Sequence, residues 1–326
     1  MLLGLEEEVF VTNVERPTLH SLYYLARLLW KNPSVYYVHT DSNFARGEDI
    51  RQGLMGGIEI STRPHAAVSS LLEELARSRA LLAEICTDGL LVPLGHLINF
   101  DAPTITCGLH VHISGLDDPQ RAYRNLAHFL PLLALMTANS PYCRGIYFGP
   151  SYRMARGYAI GPLRASPTYR FQDIIFSRRL GTIELRVFDP VWDLARLRYL
   201  LEAVRAIARS EKGYLLDRNL YNRQRWRVAR EGYGGSLKAL YRELGELCYV
   251  PEELFVRTPA EEVRRCYEVY GLLGTYSALD NAYRNGIFEP RPIPAFNPSL
   301  SKQAVGLAAY YMVKLPYKLK KVWQEW

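Results

Sequence analysis

Four short stretches of the sequence alternate apolar side chains with side chains that could bind metal ions or phosphate. They are residues 4–8, 57–61, 109–114 and 182–187. Because residues two apart in a β-strand lie on the same face, each stretch would separate its apolar residues from its polar ones. The polar faces would carry Glu6 and Glu8, Glu59 with Ser61, His110 and His112, and Glu184 with Arg186. Four strands of this kind in one sheet predict a floor rich in carboxylate, imidazole and guanidinium groups.

Such a floor would be suited to binding cations and anions together. Carboxylates that close to one another stay ionised only if cations balance their charge. Hard divalent cations bind carboxylate oxygens readily, and Mg²⁺ commonly shares its coordination with the phosphates of a substrate. Arg186, beside Glu184, would suit a phosphate held by those metals, because a guanidinium binds phosphate through two parallel hydrogen bonds. The four strands together favour a metal–phosphate site.

A plainer alternative is an antiparallel sheet with one solvated face, which also alternates apolar and polar residues. For any one strand alone this is the better explanation, since paired strand histidines are often simply hydrogen-bonded. The polar positions, however, avoid Lys, Thr and Gln, which a merely solvated face would use freely. One acidic residue fits neither interpretation: Glu7 falls on the apolar side with Leu5 and Val9, and the sequence predicts no partner for it.

The elements that would position these residues follow from periodicity and from helix caps. Strands are predicted at 3–12, 35–38, 57–62, 90–94, 106–114, 169–175 and 181–188, and helices at 17–30, 66–86, 117–137, 193–209, 236–247, 259–285 and 302–323. Residues 41–53 are predicted to form a loop or short helix, and 139–167 a long loop. Asp280 and Arg284, four apart on a helix, are interpreted as ordinary surface charges.

Strands dominate the first 190 residues and helices the rest, which predicts an α+β fold. We interpret residues 1–326 as a single catalytic domain. Its sheet-forming core would span residues 1–210 and its mainly helical part residues 211–326.

Composition limits the class of protein. The chain has 326 residues, of which 48% are hydrophobic, and a formal charge of +7, which excludes disordered, collagen-like and coiled-coil proteins. We expect neither a signal peptide nor a transmembrane segment, and a cytoplasmic location. The five scattered cysteines are expected to be buried thiols. The arginines are spread along the chain, so the positive charge indicates anionic ligands, and we expect no nucleic-acid partner.

The motifs, in this order, resemble the glutamate–cysteine ligase type 2 family of ATP-dependent carboxylate–amine ligases. The segments that carry the resemblance are Gly4–Glu8, Gly57–Thr62, Cys107–His112, Leu135–Pro141, Ser151–Arg153 and Gly181–Asp189. Each is short, but the combination is specific, and it covers residues 4 to about 210. The helical C-terminal third fits the family only in general character.

The resemblance implies a glutamine synthetase-like or guanido kinase-like fold, with a curved antiparallel sheet as the active-site floor, packed by helices. It also implies ATP and Mg²⁺, with Mn²⁺ as an alternative, and joining of a small-molecule acid to an amine through an acyl-phosphate. Carried over by position, Glu6, Glu8, Glu59, His110 and Glu184 would bind metal. His110, His112, Arg153 and Arg186 would contact the nucleotide phosphates. Arg186 and Arg153 would also act in phosphoryl transfer, and Glu59 could accept the proton of the amine.

Two departures from the family leave the substrates open. Ile175 stands where relatives commonly carry an arginine, and Leu94–Ile98 replaces a usual Gly-Thr-His-Pro-Phe segment. The metal floor is intact while segments expected nearer the substrate differ, so the acid and the amine need not be glutamate and cysteine. A phosphotransferase of the guanidino kinase type and a catalytically inactive nucleotide-binding protein are the alternatives. The sequence also leaves a homo-oligomer open.

Overall fold

A seven-stranded antiparallel sheet forms the centre of the protein. The computed structural model describes residues 1–12, 20–31, 36–38, 57–101, 106–156, 172–177, 181–293, 299–306, 308–309 and 312, and all structural statements refer to these. The strands are β1 (Leu2–Thr12), β2 (Tyr36–Val38), β3 (Gly57–Ser61), β4 (Leu90–Val92), β5 (Leu109–Ser114), β8 (Ile174–Ser177) and β9 (Thr182–Phe188), with β6 (Tyr142–Cys143) and β7 (Ile146–Tyr147) forming a separate hairpin. The order across the sheet is β2-β3-β1-β5-β9-β8, and β4 pairs with the end of β1.

Helices surround the sheet and supply most of the remaining core. They are α1 (His20–Lys31), α2 (Val68–Ile85), α3 (Pro119–Ala134), α4 (Tyr152–Arg156), α5 (Leu194–Arg209), α6 (Arg218–Glu231), α7 (Ser236–Gly245), α8 (Glu253–Val256) and α9 (Pro259–Asn285). Aspartates cap three of the described helices: Asp118 accepts from the Arg121 amide at 2.9 Å, Asp193 from the Ala195 amide at 2.8 Å, and Asp217 from the Asn219 amide at 2.8 Å. The protein is thus a mixed fold of helices and antiparallel sheet.

Strand β1 separates the two hydrophobic clusters. Its residues Leu5 and Val9 belong to the larger cluster, with α1, α2, α3 and α5. Phe10, on the opposite face, belongs to a second cluster with β4 and with Tyr276 and Leu279 of α9. The face that carries Glu6 and Glu8 therefore ends in apolar packing beneath α9.

Most of the predicted strands are found with small changes at their ends. The strand predicted at 169–175 is shifted, because β8 begins only at Ile174 and ends at Ser177, and residues 169–171 lie outside the described residues. Two expectations about the rest were wrong. Residues 139–167 are not one long loop, because the hairpin β6–β7 and helix α4 lie within them; residues 157–167 lie outside the described residues. Helix α6 was not predicted. Its sequence is strongly polar, and it buries little besides Tyr221, Arg225, Val228 and Ala229, so an apolar period is barely visible. The predicted loop at 41–53 and most of the predicted C-terminal helix also lie outside the described residues.

Glu7 has a buried counter-charge that the sequence did not predict. It is fully buried, and the guanidinium of Arg79 in α2 binds both of its carboxylate oxygens. Tyr283 of α9 donates to the same carboxylate at 3.0 Å, and Arg79 donates to the carbonyls of Val191 at 2.7 Å and Trp192 at 3.0 Å. Burial alone would lower the pKa of Arg79, but the charge of Glu7 more than offsets it, so that pKa is raised. This ion pair joins the sheet to two helices.

The interpretation of Asp280 and Arg284 as surface charges was also wrong. Asp280 is fully buried and accepts from the Leu91 amide at 2.8 Å and from Arg284 at 2.7 Å. Arg284 donates further to backbone carbonyls at the end of α2, including Cys86 at 2.7 Å. Periodicity cannot distinguish an exposed pair from one covered by a neighbouring helix. All five cysteines are free thiols; Cys86, Cys107 and Cys266 are buried as predicted, whereas Cys143 and Cys248 are only partly buried. None of the described helices combines the length and apolarity needed to span a bilayer.

Candidate functional site

The strand register brings the predicted polar residues onto one face of the sheet. Across β1 and β5, Glu6 lies opposite His110. Across β1 and β3, Glu8 lies opposite Glu59, and across β5 and β9, His112 lies opposite Glu184. We refer to this face as the polar floor, defined by Glu6, Glu8, Glu59, His110, His112, Glu184 and Arg186. The sheet therefore brings together the polar residues that alternation alone predicted to share one face.

Two glutamates and two histidines lie in contact with one another on the polar floor. Nδ1 of His110 lies 3.3 Å from Oε2 of Glu6 and 3.5 Å from Oε1 of Glu184. Nε2 of His112 lies 3.2 Å from the same oxygen of Glu6. Ligand atoms from Glu6, His110 and Glu184 all fall within 4.8 Å of one another, which is compact enough to surround one metal ion. Two carboxylates and an imidazole suit a divalent cation of the Mg²⁺ or Mn²⁺ type.

The electrostatics of Glu6 reflect this crowding. Burial by itself would raise its pKa, but hydrogen bonds and positive charge from His110 and His112 hold the pKa well below its usual range. The carboxylate is therefore ionised at neutral pH.

Glu8 and Glu59 extend the floor along β1 and β3. Glu8 is buried, and its Oε2 accepts from the Gly108 amide at 2.5 Å, while its own amide donates to the Gly108 carbonyl at 2.9 Å. This reciprocal contact fixes the carboxylate at the start of β5. Glu59 is partly exposed and is the more accessible of the two. The structure thus brings all four predicted carboxylates to one surface.

A β-bulge positions Arg186. Leu109 pairs with Phe188 and Val111 with Leu185, so two residues of β9, Arg186 and Val187, lie opposite the single residue His110. Arg186 returns onto the polar floor, where its Nη1 donates to Oε1 of Glu184 at 2.6 Å. The sequence alternation predicts the face of Arg186 correctly, but it contains no sign of the bulge.

Arg153 lies beside the floor with much of its guanidinium already engaged. Its Nη1 donates to the carbonyls of Val187 at 3.0 Å and Phe188 at 3.1 Å, and its Nη2 to the carbonyl of Arg186 at 3.0 Å. A side chain at Gly108 would overlap this guanidinium and press on the His110 ring, so Arg153 borders the floor next to His110. These hydrogen bonds hold the bulged strand in place. The predicted contact of Arg153 with phosphate stays a prediction.

Behind Arg153 lies a buried polar network of Asp189, Asn139 and Ser140. In the sequence these residues stand out only as members of the family motifs. Asp189 is almost fully buried; its Oδ2 accepts from the Asn139 amide and from the Ser140 hydroxyl, both at 2.9 Å. Its Oδ1 lies 3.7 Å from Nη1 of Arg153. Burial raises the pKa of Asp189, against the opposing effect of Arg153 and the hydrogen bonds. A side chain at Gly95 would overlap this carboxylate, which explains the glycine.

The two departures from the family pattern lie close to the site. Ile175 pairs with Glu184, so it shares the polar floor and presents an apolar, partly exposed side chain there. In the Leu94–Ile98 segment, His96 is buried, and its ring packs edge-on against Tyr152 with centroids 4.9 Å apart. The floor therefore has an apolar edge where the family pattern would place an arginine.

The curated relatives that this sequence resembles carry the names of ligases. A provisionally named glutamate–cysteine ligase 2 of Ruegeria pomeroyi is 25% identical over 295 residues, which is 72% of this chain and 74% of that protein. The glutamate–cysteine ligase of Haloferax volcanii is 28% identical over 164 residues, 39% of this chain and 45% of that protein. No family model matches the sequence.

The fold is shared with a ligase of known structure. The glutamate–cysteine ligase of Francisella tularensis, solved in complex with AMP, superposes with a TM-score of 0.57 at 13% identity, over 97% of this chain and 93% of that one. The class that the fold and the curated relatives indicate is a ligase. More narrowly, the resemblance to the glutamate–cysteine ligase type 2 family seen in the motifs is confirmed: the Ruegeria protein is provisionally named a glutamate–cysteine ligase 2, and the Haloferax protein a glutamate–cysteine ligase.

Proposed function

We propose that this protein is an ATP-dependent carboxylate–amine ligase that activates an acid as an acyl-phosphate and passes it to an amine. The observation that carries the proposal is the grouping of Glu6, His110 and Glu184, with ligand atoms within 4.8 Å, next to the guanidinium of Arg186. A cation site beside a phosphate-binding arginine is what phosphoryl transfer from a nucleotide requires. Ligases among the curated relatives and the shared fold support the same class. That the fold is of the glutamine synthetase-like kind is part of this proposal.

The floor fits divalent cations through its donor set. Glu6, Glu184 and His110 would hold one ion, and Glu8 with Glu59, opposite each other in the register, would contribute oxygens to a second. Bound Mg²⁺ or Mn²⁺ would neutralise the charge of the nucleotide phosphates. His112, which also contacts Glu6 and is not one of these ligands, would then be free to turn toward the nucleotide.

The protein's own residues account for the rest of the chemistry. A carboxylate is a poor electrophile until it is phosphorylated, so its oxygen must attack the γ-phosphorus while the bond to ADP breaks. Arg186 would stabilise the charge on the transferring group, with Arg153 holding the strand that presents it. The amine then attacks the acyl carbon and phosphate leaves. Glu59, as the accessible carboxylate of the floor, would accept the ammonium proton.

Glutamate–cysteine chemistry is one version of this proposal, supported by the names of the relatives. Ile175 bears on which acid is bound, because it provides an apolar contact on the floor beside Glu184. A substrate whose side chain meets this edge would gain from apolar rather than from ionic contact. We therefore propose a small-molecule acid and an amine without naming either.

The test is a matrix of amino acids and amines incubated with Mg-ATP, with ADP and phosphate release measured and products identified by mass spectrometry. The proposal expects release that depends on both an acid and an amine, and a product lighter than their sum by one water. ADP formed with a phosphorylated product and no amine would indicate a phosphotransferase instead. Tight nucleotide binding without turnover under any pair would favour a non-catalytic nucleotide-binding role.

A further inference from the structure

The main-chain peptide of Arg186 is held from both sides by buried side-chain networks. Its carbonyl accepts from Nη2 of Arg153 at 3.0 Å, and its amide donates to the carbonyl of Asp173 at 2.8 Å. Because Arg186 lies in the β-bulge, it has no paired residue on β5, while its bond to Asp173 continues the pairing of β8 with β9 beyond Ile174 and Leu185. The direction of the Arg186 side chain therefore depends on where Asp173 and Arg153 are fixed.

Asp173 is fixed by helix α6. Its buried carboxylate accepts two hydrogen bonds from Arg225, from Nε to Oδ2 and from Nη2 to Oδ1 at 3.1 Å, and a third from the Tyr221 hydroxyl at 2.7 Å. All three side chains are almost fully buried. A bidentate arginine pair with a third donor is a rigid arrangement, because the planar fork allows little rotation once both bonds form. Helix α6 thus sets the position of the Asp173 carbonyl.

We infer that Arg225 and Tyr221 of α6 are positioning residues for Arg186, acting through Asp173 to aim its guanidinium at the terminal phosphate of the nucleotide. This inference rests on the proposed function and deepens it. Neither residue lies on the polar floor, so neither would touch substrate. Their effect would reach the reaction only through the Asp173 carbonyl and the Arg186 amide.

The experiment compares the binding of MgATP and MgADP by calorimetry. Arg225→Lys keeps the charge but loses the fork, and Tyr221→Phe removes a single hydrogen bond and serves if the first variant folds poorly. Arg223→Gln, an exposed residue of the same helix, is the matched control. Because Arg186 would contact the γ-phosphate, we expect Arg225→Lys to weaken MgATP binding by about fivefold and Tyr221→Phe by about twofold to threefold, with MgADP binding nearly unchanged. The control should match the wild type for both nucleotides.

A second arm repeats the substitutions in an Arg186→Met background, where a residue that acts through Arg186 should have no further effect on MgATP affinity. Equal weakening of MgATP and MgADP binding would overturn the inference, and so would the same loss of MgATP affinity in the Arg186→Met background. Either result would mean that Arg225 and Tyr221 only support the fold in general. Variants that keep the wild-type preference for MgATP would overturn it too, while the proposed function stands. A wild-type protein that binds neither nucleotide would overturn both.

Discussion

Nη1 of Arg186 donates to Oε1 of Glu184 at 2.6 Å, two residues away along the same strand. This short contact joins a guanidinium suited to phosphate with a carboxylate suited to metal. A nucleotide with its cation could be bound by both groups at once, so their roles can be tested separately.

Replacing Glu59 by Gln should remove metal-dependent ATP turnover while leaving the fold intact, because the amide keeps the size of the side chain but loses its charge. Turnover and thermal unfolding are measured on the same preparation. Glu73→Gln, an exposed glutamate of α2, is the control. Near-normal turnover of Glu59→Gln would remove this residue from the metal floor.

Arg186→Lys should lower ATP turnover by at least about tenfold, because a point charge replaces a planar fork. Steady-state rates at saturating MgATP measure the effect, with Arg223→Lys on the surface of α6 for comparison. An unchanged rate would exclude Arg186 from the phosphate site.

Gly108→Ala should lower turnover by about tenfold or more through displacement of Arg153 and His110, since small errors in position are costly in catalysis. The first atoms that a Cβ would meet belong to the end of the Arg153 side chain, which can move, so we expect a smaller effect on stability. Gly213→Ala is a matched control because its Cβ would meet nothing within 4 Å. Equal behaviour of the two variants in rate and melting temperature would contradict the prediction.

Arg79→Met should destabilise the protein by about 3–5 kcal/mol, because it leaves the carboxylate of Glu7 buried without its counter-charge. Urea unfolding measures the loss, and the double variant Glu7→Gln/Arg79→Met should recover a large part of it. A double variant no more stable than the single one would show that the other hydrogen bonds of Arg79 dominate.

The stabilising effect of Glu74 should depend on pH. Burial would raise its pKa, but hydrogen bonds from His65 and the Arg63 amide hold it below the ordinary value of 4.5. A lowered carboxylate pKa stabilises the fold above the ordinary value, and this contribution is lost as the pH falls through the lowered value. Wild type should therefore exceed Glu74→Gln in unfolding free energy at neutral pH, with the difference shrinking below about pH 4. A constant difference from pH 7 to pH 3 would argue against this assignment.

Alternation along the strands was sufficient to predict the polar floor. Glu6, His110 and Glu184 come from strands more than 70 residues apart in sequence, yet each carries the period of two that fixes its face. The bulge at Arg186 could not be predicted, because nothing in the alternation along β9 marks it. The buried pairs of Glu7 and Asp280 were missed for a related reason: a charge looks the same in sequence whether it meets water or a counter-charge.

Helix α6 shows the same limit from the other direction. Its sequence is too polar for its period to be visible, and its most consequential side chain, Arg225, would be assigned to solvent by composition. Only the position of Asp173 reveals why a guanidinium is buried there: this residue directly precedes β8 and lies two residues before Ile175, the partner of Glu184.

Strand β1 has a consequence for how the protein is made. It is translated before every strand that pairs with it, and its partners β3, β4 and β5 are complete only at Ser61, Val92 and Ser114. The counter-charge to Glu7 arrives with Arg79, and its Tyr283 partner 276 residues after Glu7. A nascent chain thus carries β1 without all of its partner strands until Ser114 has been added, and unpaired apolar strands aggregate readily. Because β1 pairs with strands far from it in sequence, we expect slow refolding in dilute solution.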